Sequence, residues 1–329
     1  MAVLSEPRTE RKAGVDLAEA LQRFGTLGIF VVLVIVASLW SSSFLTQVNI
    51  LNVLRQVASG AGIMAVGMLF VILTRGIDLS VGSIAALGSV LSAYFIAFWG
   101  YGVVQSSVLV VLCGAACGLV TGFFVAYLKL PSFVMSLAMM AVGRGLSLII
   151  SEGRPIPIGD GGDPLAAFGS GFLWGMPQPA LLMFAVFIVG GLVLNFTRFG
   201  RVIKAIGSNE EAVRLSGIAV PRYVLAVYVI SGALAAVAGI ISTSRTGVGS
   251  AQVGIGAELN VIAAVVIGGA SLMGGRGGVI NTLLGALVMG IIANIMNLAG
   301  VPGYHQQVYM GLIILIAMLL QYGTGSLKR

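Results

Sequence analysis

The chain has 329 residues, of which 58% are hydrophobic and only 9% charged, against about 25% charged in an ordinary soluble domain. Its mean hydropathy is +1.06. A globule of this size cannot bury that much apolar surface and keep a polar exterior, which excludes a soluble enzyme and a disordered chain. The net charge of +7 comes from 18 Lys+Arg against 11 Asp+Glu. No basic patch is interleaved with aromatic residues, so the excess reads as membrane topology and nucleic acid is not implied.

Residues 1–25 form a polar segment holding Glu6, Glu10, Asp16 and Glu19. This is unlike a basic leader, and no A-x-A site follows, so the first apolar run is expected to stay as an uncleaved helix. Ten apolar spans follow, at 26–43, 52–74, 79–99, 104–128, 132–151, 179–196, 223–243, 258–273, 279–298 and 306–322. Helices of about 20 residues cross the hydrocarbon layer. The runs are continuous, which argues against the alternating strands of a membrane barrel. The expected fold is an all-α integral membrane protein of ten helices, with a transmembrane domain at 26–322 and a tail at 323–329. Gly114, Gly118 and Gly122 in the fourth span repeat G-x-x-x-G, a pattern for close helix packing. Cys113 and Cys117 lie in the same run, four apart, and read as small apolar contacts rather than a disulfide framework.

Basic residues set the orientation. With both termini in the cytoplasm, that side holds Arg8, Arg11, Lys12, Arg23, Arg75, Lys129, Arg198, Arg201, Lys204, Arg214, Arg222, Arg276, Lys328 and Arg329. The outer side keeps Arg55, Arg154 and Arg245, as the positive-inside rule requires. The outer loop at 152–178 is rich in Gly, Pro and Asp and reads as turns with no helix-length pattern. The inner loop at 197–222 is charged and expected to be helical in part. Spans one to five and six to ten suggest two five-helix repeats. An odd number inverts the second, an arrangement that places a substrate route at the repeat interface. The Gly-rich entries at 76–82 and 247–256 and the turns at Pro131 and Pro302 support the pairing.

The inner loop reads FGRVIKAIGSNEEAVRLSGIAV from Phe199 to Val220. Glu211 to Gly217 fits E-A-A-x-x-x-G, with Val213 at the second Ala position. A short polar helix bearing Val213, Leu215 and Ile218 suits docking into a partner's groove. Together with MAVGMLFVILTRGIDLSVGS at 64–83 and ELNVIAAVVIGGASLMGGRG at 258–277, this loop makes the chain resemble the membrane permeases of ribose-type ABC importers. The resemblance runs from about residue 27 to 320. It implies a second permease copy, identical or related, an ABC ATPase and a periplasmic sugar-binding protein, all in a bacterial inner membrane. It also implies that Asn209, Glu210, Glu211, Arg214 and Gly217 meet the ATPase. Two departures stand out. An I-x-L-P element is absent after Gly217, where Val220-Pro221 comes early, and Asn260 stands where the family more often has Asp.

No G-x-x-x-x-G-K-[ST] occurs, so this chain is expected to bind no cofactor itself, and ATP and Mg belong to the partner ATPase. It is expected to be no enzyme. Buried charge is expensive in lipid, which marks Arg75, Asp78 and Ser80 at the third span, Arg144 inside the fifth, and Glu258 with Asn260 as gating or structural groups. Asp78 is expected near the inner interface, paired with Arg75 or capping the third span. Glu258 is expected at the outer start of the eighth. Amides and hydroxyls that could line a sugar route are Asn52, Gln56, Ser59, Ser136, Asn281, Asn294 and Asn297, with interhelical hydrogen bonding as the competing role. His305, the only histidine, and the lack of paired carboxylates or a metal cluster leave no catalytic constellation. The sequence thus points to a permease subunit moving a monosaccharide or polyol. A stand-alone ten-helix secondary transporter of the drug/metabolite type and a passive channel are the alternatives.

Overall fold

The computed structural model describes residues 11–326, with side chains described for 25–313 and 315. The expected leading segment up to residue 10 and the tail residues 327–329 lie outside that range. The described chain is almost entirely helical, because in an apolar medium each backbone N–H and C=O must be satisfied within its own segment. In order, the main helices are α1 (Arg11–Trp40), α2 (Gln47–Val57), α3 (Ile63–Leu73), α4 (Val81–Ala97), α5 (Val103–Ala126), α6 (Ser132–Ser151), α7 (Asp163–Ser170) and α8 (Gln178–Phe196). They continue as α9 (Arg198–Ser208), α10 (Glu210–Leu215), α11 (Val220–Thr246), α12 (Ala257–Ile267), α13 (Val279–Leu298) and α14 (Gly303–Ser326). Six helical stretches among the described residues are long and apolar enough to cross a membrane: 47–73, α5, α6, α8, α11 and α13. Shorter apolar helices are 25–40, α4 and α12.

α11 is the central helix, with α3, α4 and α5 around it. Small residues set these approaches. Gly114 of α5 faces Gly232 and Ala236, and a Cβ on Gly122 would lie 2.9 Å from that of Tyr228. The small-residue stripe read from the sequence therefore is a packing face.

Two elements break the simple picture of straight spans. The 47–73 helix carries a π-turn at Ala58–Gly62, where Gly60 leaves helical geometry at φ −101°, ψ −119°. The eighth span is not a helix over 258–273. Its helix, α12, ends at Ile267, and residues 268–278 are turns. The crossing begins upstream instead. Gly249 lies against Ser89 and Ala93 of α4, and Gly254 against Gly82. Seven residues along α4 is about 10 Å, so residues 249–256 descend along α4 in non-helical form. α12 then covers about 16 Å, roughly half of a ~30 Å hydrocarbon layer. The glycines at 254 and 256, with φ of +73° and +72°, supply the left-handed turns this path needs.

The loop at 152–178 also differs from expectation. It contains the eight-residue helix α7, started by Asp163 and Pro164, and a strand Ile156–Pro157 (β1) paired antiparallel with Val248–Gly249 (β2). Leu165 and Gly169 face inward, Gly169 against Ser244 and Arg245 of α11. Tertiary burial, not local pattern, makes this helix, which is why turn-forming composition hid it.

Because Gly118 meets the Tyr228 carbonyl of α11, Gly118→Val is expected to destabilise the protein by about 1–3 kcal/mol through overpacking. Thermal unfolding in detergent should show a lowered Tm. Gly145→Ala, where nothing lies within 4 Å, should leave it unchanged.

Candidate functional site

The site is built around α9 and α10. Thr197 caps α9 by accepting from Gly200 N–H at 3.2 Å, and Val202, Ile203 and Ile206 turn inward. This pattern makes α9 an amphipathic helix laid against the end of the bundle. Asn209 then caps α10, accepting from Ala212 N–H at 3.0 Å. Glu210 and Glu211 sit in its first turn and Arg214 in its last, each matching the helix dipole. Gly217, at φ +76°, ends it. Glu211 pairs with Arg214 at 2.7 Å and Glu210 with Lys129 at 2.6 Å. Both pairs are exposed, so they contribute little to stability. Val213 is buried in the chain's own core, whereas Leu215 is 78% exposed. Of the apolar residues expected to dock, Val213 therefore serves as an anchor and Leu215 is presented outward. Beside α10 an open groove of 430 Å³ is lined by Arg198, Phe199, Gly217, Ile218, Arg222 and Tyr223, among others.

The far end of α9 is locked to two turns. Arg75 donates through Nε to the Gly207 carbonyl at 2.7 Å and the Met273 carbonyl at 3.1 Å. Its Nη2 donates to Ser208 O at 2.9 Å. Gly275 N–H donates to Leu73 O at 3.0 Å. Gly207 is pressed against both Leu73 and Gly275, and no Cβ fits there. One guanidinium thus joins the 74–80 turn, the end of α9 and the turn after α12. Arg75 sits at φ +65°, a conformation few residues other than glycine adopt.

Asp78 does not pair with Arg75. It is buried, and its Oδ1 accepts from Ser80 N at 3.0 Å and Ser80 Oγ at 2.5 Å. Its Oδ2 accepts from Ser231 Oγ of α11 at 2.7 Å. The N-cap of α4 is Ser80 itself, and Asp78 closes the turn just before it, in the manner of an Asx-turn. Ser136 is likewise an anchor: its Oγ donates to Ile77 O at 3.2 Å, and Ile77 N–H donates to Ser132 Oγ at 3.2 Å. The 74–80 turn is therefore held by α6, α9 and α11 together.

Arg144 does not snorkel. Its Nη1 donates to the Val253 carbonyl at 2.9 Å and also to that of Ala251, gripping the descending segment. Glu258 lies in the first turn of α12, at the level of Gly82 at the start of α4. Asn294 takes the competing interhelical role: its amide and that of Asn49 exchange two hydrogen bonds, at 2.8 and 2.9 Å. Asn297 accepts from Gln306 at 2.8 Å on the exposed end of α13. Ser59 accepts from Arg245. Asn52 is exposed, and the Asn281 backbone packs against Gly268. Gln56 and Asn260, expected to act separately, line one cavity beside the π-turn. Sequence reasoning missed Asn49, Ser132, Ser231 and the Gly207, Ser208 and Met273 carbonyls. Ser231, three residues beyond Tyr228 on one face of an apolar helix, was the one signal available.

This geometry is that of a helical multi-pass membrane protein whose turns are clamped to one another. A family model described as "Branched-chain amino acid transport system / permease component" matches residues 49–318, and the chain belongs to that family. It is 44% identical over 314 residues to the ribose import permease protein RbsC of Bacillus subtilis, covering 95% of this chain and 96% of the relative. It is 41% identical over 300 residues to the Haemophilus influenzae protein of the same name, covering 91% and 92%. It is 38% identical over 322 residues to the L-arabinose transport system permease protein AraH of Escherichia coli, covering 97% and 96%. No solved structure matches.

Arg144→Met should leave two carbonyls of the descending segment without a donor, at about 1–3 kcal/mol each. The expected result is a lower Tm and faster proteolysis within residues 249–256, measured in detergent.

Proposed function

We propose that this chain is the permease subunit of an importer that moves a monosaccharide or polyol, driven by a separate ATPase. The relatives named above carry ribose and arabinose in their names, which favours a sugar over the amino acids of the family description. The observation that carries the reading is the α9–α10 surface, with its capped short helix, exposed Leu215 and adjacent groove, locked through Arg75 to the turns of α4 and α12. Such a surface suits a motor that closes on ATP and Mg held by its own chain. Asn209, Glu210, Glu211, Arg214 and Gly217 would meet it.

In this proposal α9 and α10 face the cytoplasm, as do both termini, and α7 faces the binding protein outside. The ten spans form two inverted five-helix repeats, with α4 and the descending segment plus α12 as their interrupted members. Two permeases pair in a bacterial inner membrane, surrounded by lipid, identical or as related partners. Closure of the motor displaces α9, and Arg75 carries that displacement to both turns, alternating access between the faces. A stand-alone secondary transporter is not favoured: the relatives are permease components.

The test uses the permease assembled with its ATPase and binding protein in proteoliposomes. Glu211→Ala together with Gly217→Pro is expected to leave membrane insertion intact while ATP hydrolysis no longer drives uptake. Normal coupling in that double variant would contradict docking through α10. Arg75→Ala is expected to uncouple in the same way with the complex still assembled, because three carbonyls lose their shared donor. Unchanged uptake per ATP would remove Arg75 from the path.

A further inference from the structure

We infer that the cavity beside the π-turn is a hydroxyl-reading subsite, in which the side-chain amides of Gln56 and Asn260 hold a neutral polyhydroxylated solute in passage. The inference rests on the transport reading and adds the place and chemistry of recognition. The cavity measures 120 Å³ and is lined by Gln56, Gly60, Ala61, Asn260, Met289 and Met310, among others. α13 contributes Ala286 and Ala293, about 10 and 20 Å along the helix from Val279. The site therefore lies at mid-depth in a layer of about 30 Å.

Polar groups at that depth are costly unless something satisfies them. Among the described residues, neither the Gln56 nor the Asn260 side chain makes a hydrogen bond to the protein. Asn294, on the same helix as Met289, shows the contrast, since its amide is fully engaged with Asn49. Each free amide offers two N–H donors and a carbonyl acceptor, which matches hydroxyl groups that both donate and accept. No charged residue lines the cavity, which suits a neutral solute. Met289, Met310 and the small residues give an adaptable apolar wall for the C–H face of a sugar.

Both flanks are interrupted helices. Gln56 precedes the π-turn at Ala58–Gly62, and Asn260 lies in the first turns of the half-crossing α12. Such breaks recur at functional sites and at mid-membrane substrate sites. α12 ends at the turn held by Arg75, so a movement of α9 would shift Asn260 relative to Gln56 and release the solute.

The test is Gln56→Leu combined with Asn260→Leu in the full importer complex in proteoliposomes, with D-ribose and L-arabinose as probes. Removing two unpaired amides from apolar surroundings should leave Tm unchanged or raised. Uptake should fall about tenfold or more, while ATP hydrolysis continues. A lowered Tm would show that the amides hold the fold, and undiminished uptake would show that they do not read the solute. Either result overturns the inference. A second arm needs no motor: D-ribose at high concentration should raise the Tm of the purified permease, and the double variant should abolish that rise. Absence of the rise in the unaltered protein also overturns the subsite. If the unaltered complex takes up neither sugar with ATP, the transport reading fails, and the ribose-dependent rise still decides the subsite.

Discussion

A single guanidinium holds the working end of this molecule together. Arg75 donates to the carbonyls of Gly207, Ser208 and Met273, three groups from two segments far apart in sequence. The arrangement depends on the absence of side chains around it, since Gly207, Gly274 and Gly275 all press against the same junction. A planar cation with several donors in a fixed fork can bridge several oxygens at once, which a lysine cannot do with the same geometry. The rest of the architecture is arranged around that clamp. α9 lies on one side of it, and the turns that end α3 and α12 lie on the other.

In the proposed mechanism this gives stiffness where force would pass and breaks where access would change. The 74–80 turn is gripped by Ser132 and Ser136, by Ser231 through Asp78, and by α9 through Arg75. It cannot move alone. The segment from 249 to 256, by contrast, is held along α4 chiefly by close glycine contacts, a bond from Ser250 N–H to Ser89 Oγ and the two carbonyl contacts of Arg144. In the proposed mechanism, a displacement that enters at α9 is delivered to α12 and to the π-turn cavity beside it. Packed elements of this kind switch between discrete arrangements and do not deform continuously.

Much of this was legible in the sequence. The continuous apolar runs gave the helices, the charged run within 197–222 gave a partly helical inner loop, and the glycine stripe of α5 gave a packing face. Three things were not. The descending segment before α12 carries no helical period, so a span drawn on hydropathy alone began too late and ended too far on. α7 is made by burial against α11, which local composition cannot report. Partners distant in sequence, such as Asn49 with Asn294 and Asp78 with Ser231, are set by tertiary packing, which also places Asn294 in the core and Asn297 on the exposed end of α13. Arg75 and Asp78, adjacent in the motif, looked like an ion pair, yet the turn points them to opposite neighbours.

In the proposed mechanism, force enters this bundle from outside it, through α9 and the Arg75 clamp. The most direct measurement is solute accumulation by the purified chain reconstituted alone in proteoliposomes, with and without an imposed ion gradient. The account predicts no uphill accumulation of D-ribose in either condition, and accumulation once the ATPase, the loaded binding protein and ATP are supplied. Uphill accumulation by the chain alone, powered by the ion gradient, would contradict it.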